Sequence, residues 1–203
     1  MKLLKSVVAA FMAIFCLTAC AQKQETKKMD TKDQKVLVAF FSRADENYSV
    51  GYVDKGNTQI IAEMIADKTG GDLFHIETVE AYPADYQACI EKAKGELQSK
   101  ARPTLKGDVN VEDYDVIYLG YPNWWGEPPM ALYTFIEKHD WNGKTVYPFI
   151  THEGSGFGGT DKLLEKACEG ATFMPGLAIP GHVAQNERAK AQQEVNNWLK
   201  SFL

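Results

Sequence analysis

Three stretches combine residue types that could hold a ligand. The first is split between Ser42-Arg43 and Gly56-Asn57-Thr58. A hydroxyl donor, a glycine that lets the backbone come close and the unpaired amides that open a helix are what a phosphate monoester needs. The amides donate hydrogen bonds and the helix dipole favours the anion. Asn57 or Thr58 reads equally well as a plain N-cap.

The second stretch is Gly120-Tyr121-Pro122-Asn123-Trp124-Trp125-Gly126-Glu127-Pro128-Pro129. A loop cannot bury both faces of two adjacent indoles, so one tryptophan packs beneath the loop and at least one is left for a planar aromatic ligand. The third is Thr151-His152-Glu153-Gly154-Ser155-Gly156-Phe157-Gly158-Gly159. Gly154, Gly156 and Gly159 match the G-x-G-x-x-G spacing of a dinucleotide site. That site belongs after the first strand and needs an acid about twenty residues on, where this chain has Ile179 and Pro180. The glycines better serve close approach of backbone amides to a flat heterocycle. His152 and Glu153 either touch that ligand or face water.

The elements that must position these loops are legible from hydrophobic patterning. Val36 to Phe41 is a continuous apolar run of strand length, the mark of a strand covered on both faces. Helical spacing follows at Ile60, Ile61, Met64 and Ile65 and stops at Gly70-Gly71. Further strands are predicted at Leu73 to Val79, Val116 to Gly120, Val146 to Ile150 and Ala171 to Ile179. Helices are predicted at Ala84 to Lys100, Met130 to Lys138, Thr160 to Cys168 and Gln185 to Phe202. Strands alternating with helices mean an α/β doubly wound parallel sheet, in which ligands sit beyond the carboxyl ends of the strands.

Upstream of this domain, predicted to span residues 35–203, the chain reads as an address. Lys2 and Lys5 precede a short apolar run that ends in Leu17-Thr18-Ala19-Cys20, the pattern of a lipoprotein signal cleaved after residue 19. Cys20 is then the lipidation site and residues 20–34 a polar tether, giving an exported, membrane-anchored protein on the periplasmic or cell-surface side. Removing the signal leaves 20 basic against 27 acidic residues, a net charge of −7, which excludes a basic nucleic-acid-binding surface. Cys16 leaves with the signal. Cys89 and Cys168 either pair or stand as buried thiols, and neither has metal-site spacing.

Taken together, the Ser-Arg loop, the Pro-x-Trp-Trp loop and the Thr-x-x-Gly-Ser-Gly loop, each following a strand in that order, resemble the flavodoxin family. The resemblance implies five parallel strands in the order 2-1-3-4-5 and FMN as cofactor. Ser42, Arg43, Gly56, Asn57 and Thr58 would hold its phosphate. Pro122, Asn123, Trp124, Trp125 and Gly126 would flank the isoalloxazine ring, and Thr151, His152, Glu153, Gly154, Ser155, Gly156 and Phe157 would wrap its polar edge and other face. The chain departs from the family pattern at Ala44 to Lys55, an insertion that could cap the ring, bind a substrate or only decorate the surface.

No residue stands out as acid, base or nucleophile, so the chemistry implied is electron or hydride transfer at a flavin. Acids near the mouth (Asp45, Glu46, Asp54, Glu127, Glu153) would disfavour added negative charge and lower the ring's reduction potential. The expected function is electron transfer to a redox partner protein. The alternatives are an NAD(P)H-dependent reductase of quinones or similar small acceptors, and a binding module without redox activity.

Overall fold

The computed structural model describes residues 34–202; the signal, Cys20 and all of the tether but Gln34 lie outside them. Its parallel sheet is built from β1 (Val36–Phe41), β4 (Asp72–Ile76), β5 (Val116–Pro122), β6 (Thr145–His152), β7 (Thr172–Phe173) and β8 (Leu177–Pro180). The spatial order is β4-β1-β5-β6-β7, with β8 also on β6. β7 pairs with Thr145 and Val146, and β8 with Phe149 to His152, so the two pieces share one edge of β6 and form the fifth position. Counted that way, the order is the expected 2-1-3-4-5.

Successive side chains of a strand point to opposite faces. Leu37, Ala39 and Phe41 of β1 join Ile117, Leu119 and Tyr121 of β5 in one core, under α3 (Met130–Ile136) and α4 (Thr160–Ala167). Val38 and Phe40 join Tyr118, Tyr147 and Phe149 in the other, under α1 (Asn57–Thr69), α5 (Gly181–Asn186) and α6 (Arg188–Lys200). Burial on both faces is why the strand runs are apolar throughout. As predicted, α1 stops at Gly70, whose φ of 71° lets its amide reach the Ala66 carbonyl.

Three expectations needed correction. The fifth strand is broken at Met174-Pro175-Gly176, where a Cβ on Gly176 would lie 2.4 Å from the Phe157 ring and 2.7 Å from the Pro148 carbonyl oxygen. The second strand ends at Ile76, because the following chain turns to bridge Thr78 with Leu105 antiparallel. The last helix is two, divided at Glu187. The insertion, whose role the sequence leaves open, contains an antiparallel hairpin of β2 (Asp45–Asn47) and β3 (Gly51–Val53) beside α2 (Tyr86–Ser99).

Cys89 and Cys168 are both free and buried. Among the described residues no helix is long and apolar enough to cross a membrane, and no cluster could hold a metal ion.

Candidate functional site

The loops after β1, β5 and β6 meet at one end of the sheet, the place where strand order reverses between β1 and β5. Ser42 follows β1, buried, and its Oγ accepts a hydrogen bond from the Gln59 amide at 3.1 Å. Gly56 opens α1 with no side chain to cap the helix. A Cβ there would stand 2.3 Å from both Ser42 Oγ and the Arg43 carbonyl oxygen, so only glycine allows this turn to close. Thr58 is buried and its hydroxyl lies 2.7 Å from that of Thr151. The cradle thus consists of hydroxyls and main-chain groups around the positive end of a 13-residue helix.

Arg43 is placed differently from the sequence expectation. Its Nη2 donates to the carbonyls of Pro83 and Ala84 at 2.7 Å each, and its Nη1 to the Glu46 carbonyl at 2.6 Å. The guanidinium is therefore turned toward the hairpin and the start of α2.

In the aromatic loop, Trp124 and Glu127 bond each other's main chain in both directions at 3.1 Å. Trp125 and Gly126 fill the turn between them with φ of 58° and 79°. Two positive φ values in a two-residue turn suit glycine or asparagine, and a tryptophan held there is strained. Trp124 packs edge-on against Phe41 and Tyr82 beneath the loop. Trp125 is 51% exposed, with its indole N–H on the Ile90 carbonyl at 3.0 Å. One ring is structural and the other is presented, as the sequence suggested.

Asn123 ties this loop to the glycine-rich one. Its amide donates to the Thr151 carbonyl at 2.9 Å and its Nδ2 to Ser155 Oγ at 2.9 Å, while its Oδ1 accepts from Gly126. Gly154, Gly156, Gly158 and Gly159 all have positive φ, which keeps the loop folded back on itself. His152 Nδ1 accepts the Gly154 amide at 2.9 Å, so the neutral ring carries its proton on Nε2. Burial holds this imidazole below its ordinary pKa. Phe157 does not line the cavity; it packs against the core, beside Gly176.

The acids of the mouth are engaged by the protein. Both Glu153 oxygens are held by His182, through its amide at 2.7 Å and its ring Nδ1 at 2.6 Å. Glu127 accepts from the Tyr133 hydroxyl, Glu46 from the Tyr86 amide and Asp45 from the Tyr52 hydroxyl. Asp54 is exposed.

A cavity of about 270 Å³ lies among these loops, lined by Arg43, Asn57, Pro122 to Trp125 and Thr151 to Glu153 on one side; Ser42, Gly56, Thr58, Gly126, Gly154, Ser155 and Gly156, also expected in the site, are not part of this lining. The other side comes from Asn47 and Tyr48 of the hairpin and from Tyr86, Cys89, Ile90 and Ala93 of α2. Sequence reasoning missed this second wall, and no spacing in α2 marks it. It also missed Gly181, where a Cβ would strike Asn57 Nδ2 at 2.2 Å, and Gln185, which donates to Asn57 Oδ1 at 2.8 Å.

Solved structures similar to this chain include flavoproteins. The chain is 30% identical to a candidate flavoprotein from Bacteroides uniformis, over 82% of this chain and 98% of that one, with a TM-score of 0.64. A second candidate flavoprotein, from Bacteroides eggerthii, is 29% identical over 84% and 98% of the two chains, with a TM-score of 0.66. A Lactobacillus acidophilus flavoprotein in complex with FMN shares the fold at 20% identity, over 77% of this chain and 99% of its own, with a TM-score of 0.57. No curated protein matches in sequence. The flavodoxin family profile matches residues 35–201, nearly all of the described structure, and the chain belongs to that family of FMN-binding flavoproteins.

Proposed function

We propose that the protein is an FMN-dependent electron-transfer flavoprotein, exported and anchored through lipid on Cys20. The convergence of Asn57 at the α1 N-terminus, the Trp125 turn and Thr151 to Glu153 at the end of β6 on one cavity carries this reading.

The residues present suit FMN. A glycine cradle too tight for a Cβ, a helix N-terminus and nearby hydroxyls match a phosphate, and an exposed indole beside a cavity of about 270 Å³ matches a flat heterocycle. Bound FMN supplies one- and two-electron redox chemistry. Asn57 and Thr58 would donate to the phosphate, with Gly56 giving the backbone room. Trp125 would supply a flat face for the ring, and His152 its Nε2–H as a donor to the ring. Asn123 ties the aromatic loop to Thr151 and Ser155.

A second reading is an NAD(P)H-dependent reductase of quinones or similar small acceptors. The wall of hairpin and α2 favours it, because it narrows the approach to the ring more than docking to a protein requires. The test is to add FMN to the purified protein and record the visible spectrum before and after NADPH and stepwise chemical reduction. Flavin binding with reduction in two separated steps supports the carrier, and rapid bleaching by NADPH supports the reductase. A colourless protein that leaves FMN free overturns both.

A further inference from the structure

Arg43 joins two parts of the site. Its main-chain carbonyl packs in the cradle against Gly56, whereas its side chain leaves the cradle and spends Nε, Nη1 and Nη2 on three carbonyls. Those carbonyls belong to Glu46 of the hairpin and to Pro83 and Ala84, the residues leading into α2. A planar guanidinium with a fixed fork of donors suits such bridging, which a single ammonium cannot reproduce.

Other contacts run along the same seam. The Glu46 amide donates to the Ala84 carbonyl at 3.2 Å, and the Tyr86 amide donates to Glu46 Oε2 at 2.9 Å. Asn47 Nδ2 reaches back to the carbonyls of Arg43, Ala44 and Asp45. The rings of Tyr48 and Tyr86 meet at 6.0 Å. Behind this seam sits Cys89, 3% exposed, in the cavity wall.

We propose that Arg43 is a positioning residue that clasps the inserted hairpin to the start of α2, forming the outer wall of the flavin ring's site, and that it does not hold the phosphate. This rests on the flavin reading above. The wall touches the ring, which FMN shares with riboflavin, while the cradle touches the phosphate, which riboflavin lacks.

The full chain is titrated with FMN and with riboflavin, in wild type, Arg43→Ala, Arg43→Lys and Thr58→Ala. Arg43→Ala is expected to weaken both flavins by the same factor, about tenfold, leaving the ratio of the two dissociation constants within about twofold of wild type. Thr58→Ala is expected to weaken FMN more than riboflavin, raising the ratio of the two dissociation constants. Without flavin, alkylation of Cys89 by N-ethylmaleimide, followed by peptide mass analysis, is expected to run about tenfold faster in Arg43→Ala, with Arg43→Lys between the two. Loss of FMN affinity with riboflavin unchanged would overturn the proposal, as would an unchanged Cys89 rate. If Arg43→Ala does not fold, the same comparisons are made on Arg43→Lys. If wild type binds neither flavin, the flavin reading falls and the Cys89 rate alone decides whether the clasp exists.

Discussion

The hydroxyls of Thr58 and Thr151 lie 2.7 Å apart in the buried floor of the site and join the first turn of α1 to the end of β6. One bond thus couples the phosphate cradle to the loop on the far side of the cavity. Thr58→Val keeps the shape and strands the Thr151 hydroxyl, so the fold should lose about 1–3 kcal/mol. FMN affinity should fall about tenfold through the lost donor. Urea unfolding and an FMN titration of the same preparation measure the two effects.

Two glycine-to-alanine changes should act in opposite directions. At Gly56 the new methyl meets Ser42 Oγ and the Arg43 carbonyl at 2.3 Å, and overpacking of this kind costs about 1–3 kcal/mol. At Gly95, inside α2, the methyl meets nothing within 4 Å and the change should gain about 0.5–1 kcal/mol. Thermal denaturation separates them: the melting temperature falls for Gly56→Ala and rises for Gly95→Ala.

Trp125 sits at a φ of 58°, a conformation that costs a bulky L-residue about 1–2 kcal/mol. Trp125→Asn relieves that strain and gives up a half-exposed ring and one hydrogen bond to Ile90. Stability should therefore stay within about 1 kcal/mol of wild type. Flavin affinity should drop clearly, as a titration followed by flavin fluorescence would register. A large loss of stability would show that the ring serves the fold first.

The His152 imidazole should leave a mark on pH dependence. Burial is the main cause that lowers it from 6.5; His182 adds to the effect and Glu153 opposes it. In the unfolded chain this group takes up a proton at higher pH than in the fold. Its contribution is therefore complete above about pH 6.5 and declines as pH falls below that value. Denaturant midpoints between about pH 5 and pH 8 should show this slope, and His152→Gln should flatten it.

Much of this architecture was legible because it is written in local patterns. The apolar run Val36 to Phe41 could only be a doubly covered strand, and the three loops announced themselves by residue type. What escaped was fixed by partners distant in sequence. Glu153 finds His182 across 29 positions, and Asn57 finds Gln185 across 128, with no spacing to signal either. The break before β8 falls at Met174-Pro175-Gly176, where Pro175 lacks a ladder amide and Gly176 leaves room for the Phe157 ring, a local breaker signal that the apolar pattern around it masked. The hairpin was visible only as an interruption, since its role depends on where the Arg43 side chain points.

The direction of β1 has a consequence for how the molecule would stand. Its first residue, Val36, lies just after Gln34, and the strand delivers Arg43 to the cavity about 20 Å further on. The cavity therefore lies at the pole of the sheet opposite the one where the chain enters the fold, so whatever precedes Gln34 joins the domain about one strand's length away from the site.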